Sequence, residues 1–364
     1  MSASAPAVPH LTAPLATAPL ATMPLPPPLP PRSSLPAITR DSLLALYRKM
    51  VLIRRVEELA AKAYTQRKIF GFCHLYIGQE SVAVGAAAAC QKNDRWIAAY
   101  REHGQAMAKG VSPRAVMAEL YGKATGCTKG LGGSMHLFDS SVHFMGGYGI
   151  VGGHIPLAAG VAWAVKQQKT GDVVVCFFGD GSAHQGAFFE ALCLAQLYKL
   201  PVVFLCENNY YAMGTSIDRQ SALIDMSLRG LGVGMVREQF DGFDVEHVRD
   251  RVGAAVEYAR SGQGPVILEA ITYRFRGHSM SDPAKYRKAG ELEEKKKSDP
   301  IAITEQRLKG DYGVTDAELE AIRASCDEEA EDAAKFAEDS PWPDPANLYD
   351  YTYAPSAAST EGDR

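Results

Sequence analysis

Two short apolar runs in the middle of the chain, VVVCFF (residues 173–178) and PVVFLC (201–206), flank a stretch from Gly186 to Tyr198 with helical patterning. Both runs are rich in Val and Phe, too short for buried helices and bounded by turn residues, so they predict buried strands. A right-handed crossover through the helix between them makes the two strands parallel, and the residues that follow each strand then emerge on the same edge of the sheet. This unit predicts an α/β fold with a mainly parallel sheet flanked by helices, and with helical segments at both ends of the chain.

Other segments extend that frame. From Arg40 to about Gln66, Leu44, Tyr47, Val51 and Leu59 recur at near-helical spacing among charged residues and predict an amphipathic helix. Ile155 to Gln168 predicts another, with Pro156 in its first turn. Between Gly71 and Ser141 short helices broken by glycine are expected, with a loop in the glycine-rich stretch Thr125 to Met135. A further strand is expected over Pro265 to Phe275, and Glu291 to Phe336 is charged and helical in pattern, ending at a PWPDP turn. Residues 1 to about 37 hold eleven of the 21 prolines, with Arg32 as their one formally charged residue, which predicts a disordered arm. Residues 38–345 then form a single α/β domain with helical extensions, and residues 346–364 a C-terminal tail.

Composition excludes some classes of function. A net charge of −4 with scattered basic residues gives no stripe for tracking phosphates along a nucleic acid. No uncharged apolar run is long enough for a membrane-spanning helix. Seven cysteines without a C-x-x-C pair read as buried, reduced thiols. The start of the chain has neither the features of a secretory signal nor the arginines of a mitochondrial leader. A cytoplasmic, bacterial location is therefore expected in preference to the mitochondrial matrix.

The chemistry is concentrated at the ends of the two central strands. Gly179-Asp180-Gly181 follows one and Asn208-Asn209 the other, with 26 residues between Gly181 and Asn208. That separation matches one crossover helix, and ligands of such sheets bind where strand ends meet. A magnesium ion on a diphosphate needs hard oxygen ligands, and Asp180, Asn209 and the carbonyl of Tyr211 would complete a set begun by phosphate oxygens and water. The glycines let the backbone approach, and the start of the following helix aims free amides, those of Gly181 and Ser182 first, at the anion. Gly147, Gly149 and Gly152 spell G-x-G-x-x-G ahead of a helix. A dinucleotide site would need a strand before them, however, and His143 to Gly146 make no convincing one.

GDG followed at this distance by NN resembles the signature of the thiamine-diphosphate enzymes. Five further motifs, in order, resemble the alpha subunits of the 2-oxo acid dehydrogenases: GFCHLYIGQE (71–80), AAYREHG (98–104), GGSMHLFD (132–139), YGIVGGHIP (148–156) and TYRFRGHSMSDPAKYR (272–287). The last is similar to the pyruvate-type loop, where the branched-chain and acetoin relatives differ. The resemblance implies thiamine diphosphate and Mg as cofactors. It also implies that Tyr100, Arg101 and His278 contact the diphosphate end, that Gly149 and Val151 meet the aminopyrimidine through their main chain, and that Phe72 and His74 line the way to the reacting carbon. His74 and His278 are the catalytic candidates, and His103 and His136 would close hydrogen-bond networks nearby. Ser279 stands where some relatives are phosphorylated.

The implied reaction is decarboxylation of pyruvate with transfer of the acetyl group to a lipoyl arm on an acetyltransferase second component. No candidate is evident for the glutamate that activates the aminopyrimidine. In two-chain members a beta subunit supplies it, so the resemblance implies a β partner in an α2β2 heterotetramer. The small residues of Gly153 to Ala164 would suit close helix packing there, or equally an ordinary core. His184, Leu131 and Ala212 depart from the family's usual Asn, Lys and Gly. A noncatalytic scaffold using the proline arm is the alternative from another class, and failure to bind the cofactor would favour it.

Overall fold

The computed structural model describes residues 26–31 and 33–353. In chain order the elements are α1 (Arg40–Thr65), α2 (Glu80–Ala89), β1 (Arg95–Ala99), α3 (His103–Lys109), α4 (Pro113–Leu120), β2 (Phe144–Tyr148), α5 (His154–Gln168), β3 (Val174–Gly179) and α6 (Gly186–Leu197). There follow β4 (Val202–Asn208), β5 (Tyr211–Ala212), β6 (Thr215–Ser216), α7 (Ile217–Gln220), β7 (Val236–Asp241), α8 (Val245–Arg260), β8 (Val266–Ile271), α9 (Glu291–Lys296), α10 (Pro300–Tyr312) and α11 (Asp316–Asp339). Six strands form one parallel sheet in the order β2-β1-β3-β4-β8-β7, so the central unit is built as its pattern predicts.

Successive side chains of a strand point to opposite faces, and the central strands are apolar at every position because both faces are covered. Val175, Phe177, Val203 and Leu205 enter the core beneath α1, α2, α4, α8 and α11. Val174, Cys176, Phe178, Val202, Phe204 and Cys206 enter the core beneath α5 and α6. α5 turns Ile155, Ala158, Ala159 and Ala162 onto the sheet, so its small residues serve the core, while Gly160 lies on the outer side with open space around it.

Several expectations change. β1, β2 and β7 were not expected. β1 and β7 carry charged or polar residues, β2 and β7 are edge strands, and β2 contains two glycines. The finding of β2 also removes the stated objection to a strand before the G-x-G-x-x-G glycines: Gly147 lies inside β2, its backbone against the Glu102 carboxyl, where a Cβ would come within 2.1 Å. The expected strand over 265–275 stops at Ile271. The C-terminal stretch is three helices, broken where Asp299 and Thr315 cap α10 and α11 and Pro300 occupies the first turn. Directly after β3 the chain makes a 3-10 turn, Asp180–His184, and α6 begins only at Gly186, so the amides of Gly181 and Ser182 belong to that turn.

The expected arm falls in two parts. Residues 1–25 and Arg32 lie outside the described residues, as do 354–364 of the tail. Leu29 is buried, Arg251 of α8 donates to the carbonyls of Pro30 and Pro31 at 3.0 and 2.9 Å, and Ser33 donates to Asp250. A proline segment without free donors can still offer carbonyls to arginine, and this one does. The cysteines are unpaired among the described residues, but Cys90 and Cys127 are only partly buried and Cys193 is exposed, which narrows the expectation of buried thiols to Cys73, Cys176, Cys206 and Cys326. No helix among the described residues is long and apolar enough to cross a membrane.

Candidate active site

All parallel strands of the sheet run the same way, so the loops after β1, β2, β3, β4 and β8 leave from one edge. The strand order reverses between β1 and β3, where β2 lies on one side and the remaining strands on the other, and such switch points open a crevice. A cavity of about 860 Å³ lies there. Its wall includes every site residue expected from the sequence: Phe72, His74, Tyr100, Arg101, Gly149, Val151, Asp180, Gly181, Ser182, Asn209, Tyr211 and His278. Tyr100 and Arg101 follow β1, Gly149 and Val151 follow β2, and Asp180 follows β3. His103 and His136 are not among the wall residues.

The GDG and NN tips are held side by side by the sheet register, in which Gly179 pairs with Glu207. Asp180 is buried, and burial pushes its carboxyl above the ordinary range. The amide of Gln220, the charge of Arg274 and the main-chain N–H of Asn209 oppose that rise. Asn208 ends β4 and donates to Glu269 at 2.6 Å, turning away into the sheet, while Asn209 Nδ2 donates to Gln79 Oε1 at 3.0 Å. Tyr210 and Met213 adopt positive φ, 71° and 54°, an uncommon conformation for large side chains, and the chain doubles back through β5 and β6 between and after them.

Arg274 maintains this loop. It is fully buried and donates to Tyr211 O at 2.7 Å, to Asn209 Oδ1 at 3.4 Å, to Tyr286 Oη at 2.8 Å and to Met213 O. Each of these oxygens has a second lone pair, so the guanidinium presets the loop without exhausting its capacity to accept. Arg274 was missed by the sequence reading, as were Gln79, Gln105, Glu207 and Asp282 of the same wall. Gln79, Arg274 and Asp282 stand inside motifs quoted above, so the signal was present, but an identity within a motif does not say which way a side chain turns.

Arg101, also of this wall, is nearly buried, and two of its five donors are engaged, by Leu75 O at 2.8 Å and His278 O at 2.7 Å. Burial and the nearby Arg274 push its pKa down to about 10, which leaves it a cation at neutral pH. His74, Tyr100 and His278 cluster around it, with ring centroids 4.7 Å apart for His74 and Tyr100 and 5.0 Å for His74 and His278. Burial, then Arg101 and further cations, push His74 down to about 2, and burial, Arg101 and Arg274 push His278 down to about 4. Both imidazoles are neutral, and the Nδ1 of each is buried without a protein partner. Phe72, by contrast, lines the cavity with 61% of its surface exposed.

Of the three departures from family pattern, Ala212 is the one that touches the cavity: its methyl group packs on Gly181, where a Cβ would come within 2.8 Å. His184 lies beside the Arg229 guanidinium, and Leu131 is exposed. Neither lines the cavity.

Residues 48–346 match the model of the dehydrogenase E1 component family. The chain belongs to that family. It is 47% identical to the pyruvate dehydrogenase E1 component subunit alpha of Rhizobium meliloti over 85% of this chain and 90% of the relative. It is 48% identical to the protein of that name from Zymomonas mobilis, over 89% and 91%. The chloroplastic subunit alpha-3 of Arabidopsis thaliana is 43% identical over 87% of this chain and 76% of its own length. Membership of the dehydrogenase E1 component family implies dependence on thiamine diphosphate.

Proposed function

We propose that the chain is the alpha subunit of a cytoplasmic α2β2 pyruvate dehydrogenase. In this reading it holds thiamine diphosphate with Mg²⁺, and the assembly decarboxylates pyruvate oxidatively and passes the acetyl group to a lipoyl arm of an acetyltransferase second component. The observation that carries the reading is the convergence of five strand-end loops on one cavity whose walls offer a cation and oxygen donors.

The residues present fit the cofactor. The free donors of Arg101 and the amides of Gly181 and Ser182 would take phosphate oxygens. Asp180, Asn209 Oδ1 and Tyr211 O would complete the coordination of Mg²⁺. Among the described residues no group of three His, Cys, Asp or Glu could hold a metal by itself. An ion shared between one carboxylate, neutral oxygens and a diphosphate is what such a wall can support. Main-chain atoms of Gly149 and Val151 would meet the aminopyrimidine.

Bound here, thiamine diphosphate would supply the nucleophilic carbon and the electron-accepting ring that decarboxylation of a 2-oxo acid requires. His74 and His278, neutral in a cationic surround, gain basicity when an anion enters beside them. They can then hold a proton at their free nitrogens and return it. Tyr100 packs both rings in place.

Three carboxylates besides Asp180 deserve comparison with the missing activating acid. Both oxygens of Glu207 are engaged, by Tyr76 and by Gln105 at 2.8 Å. Asp282 accepts from the main chain of His278 and Ala284 and from Tyr286. Glu102 turns to Leu137 and Gly147 instead of the cavity. A β subunit would supply the acid, and the exposed Phe72, Ile150 and Val151 at the mouth offer it an apolar surface. The test is assay of the co-expressed α/β pair, and of the α chain alone, on pyruvate, acetoin and branched-chain 2-oxo acids. Activity on pyruvate by the pair alone is expected. Activity confined to another substrate would overturn the assignment.

A further inference from the structure

Residues 73–77 form no regular element, yet their main chain is bonded at every successive position by groups from elsewhere. Cys73 O accepts from Met280 N at 2.9 Å and Ile77 O accepts from Phe275 N at 2.9 Å. Between these, the amide of His74 donates to Ser134 Oγ at 3.2 Å, Leu75 O accepts from Arg101 at 2.8 Å, and the amide of Tyr76 donates to Glu57 Oε1 at 2.8 Å.

Two of those holding groups are themselves joined. His103 Nδ1 lies 3.0 Å from Glu57 Oε2, and its Nε2 lies 2.8 Å from Ser134 Oγ. Glu57, His103 and Ser134 are all buried. One imidazole therefore ties α1 to the short turn after the glycine loop, and the pair of ends grips the backbone on either side of Leu75. The order carboxylate, imidazole, hydroxyl is that of a hydrolase triad, but Ser134 does not line the cavity and its oxygen already accepts the His74 amide. A nucleophile needs an approach path, and here there is none.

We propose that Glu57, His103 and Ser134 form a buried clamp that positions His74 in the cavity. The three act through His74 and are positioning residues; the catalytic part of the claim rests on the function proposed above. Among the described residues no other group accepts from the amide of His74; its neighbours are held at Cys73 O by Met280 and at Leu75 O by Arg101, and Ser134 Oγ completes the fixing of the backbone from which the His74 side chain projects. His74 already packs against Tyr100 and His278, with ring centroids 4.7 and 5.0 Å away, so loss of the Ser134 bond would loosen that one pose.

Ser134→Ala removes the shared oxygen with almost no change in volume. In the co-expressed α/β assembly, kcat on pyruvate with a dye acceptor should fall roughly ten- to a hundredfold, the scale on which a displaced catalytic group is felt. KM and the dissociation constant for thiamine diphosphate should stay within about twofold, because uniform binding is untouched. In a His74→Ala background the same substitution should change kcat less than about twofold, since residues acting as a unit are non-additive. Hydrogen exchange supplies an arm independent of activity: the His74 amide should exchange at least about tenfold faster in Ser134→Ala while β3 keeps its protection. An inactive wild-type assembly would sink the functional reading alone, with the clamp still judged by exchange. Unchanged exchange at His74, equal losses of kcat in the presence and absence of the His74 side chain, or a loss appearing in cofactor affinity would each overturn the clamp.

Discussion

Glu119→Gln is a sharp test of how the glycine-rich loop is held. The buried Glu119 carboxylate accepts four main-chain donors: Thr128 and Gly130 on Oε2 at 2.8 and 2.9 Å, and Gly132 and Gly133 on Oε1 at 2.7 and 3.1 Å. Glutamine keeps the size but presents an NH₂ group to one of these donor pairs, so two N–H groups lose their acceptor. Each unpaired donor costs about 1–3 kcal/mol if it stays buried, which sets an upper range of about 2–6 kcal/mol. The loop is only half buried and its amides can instead rehydrate, so the global loss measured by urea unfolding should fall near the lower end, about 2 kcal/mol. The local effect should be larger: hydrogen exchange at residues 128–133 should rise while β3 and β4 remain protected. Wild-type exchange in the loop, or a stability change below about 0.5 kcal/mol, would refute this account of the loop, since surface substitutions alone produce changes of that size.

Further expectations follow from the same structure. Arg101→Lys cannot bridge Leu75 O and His278 O while also serving phosphate, so calorimetry should show thiamine diphosphate binding weakened roughly 10–100-fold. Leu29→Ala should cost about 2 kcal/mol in urea unfolding, since the side chain is buried against the body of the domain. Burial pushes Glu102 up to about 8 from an ordinary 4.5, against the opposing pull of His103 and of the Leu137 amide. The folded state then binds the extra proton, so this group lowers stability progressively as pH rises from about 4.5 through about 8. Comparing urea midpoints at pH 5.5 and 8, Glu102→Gln should shrink the wild-type decline, and an equal decline in both proteins would contradict the assignment.

The central unit could be read from the sequence because both faces of β3 and β4 are covered, which makes their sequences apolar without interruption. β1, β2 and β7 could not: Arg95 and Trp96 adjoin in β1, Gly146 and Gly147 interrupt β2, and VREQFD in β7 places polar residues at an edge. These missed strands matter, because β1 and β2 are what deliver Tyr100, Arg101, Gly149 and Val151 to the cavity. Motif resemblance supplied those residues without supplying the strands. What motifs did not show was the supporting layer. Arg274, Gln79 and the Glu57–His103–Ser134 chain make contacts across 46 to 130 positions of sequence, and contacts of that range leave no periodic trace. The docking of Pro30 and Pro31 was not legible for a similar reason: composition argues against helix and ladder but says nothing about whether Arg251 will find their carbonyls.

The central claim is that the tips of β3 and β4 jointly hold a metal-bridged diphosphate. Calorimetric titration of thiamine diphosphate into the α/β assembly, with Mg²⁺ and with a chelator, measures it directly in wild type and Asp180→Ala. The wild type should bind far more tightly with Mg²⁺, and the variant should show weak binding that the metal no longer improves. Retention of wild-type, metal-dependent affinity by Asp180→Ala would contradict the account.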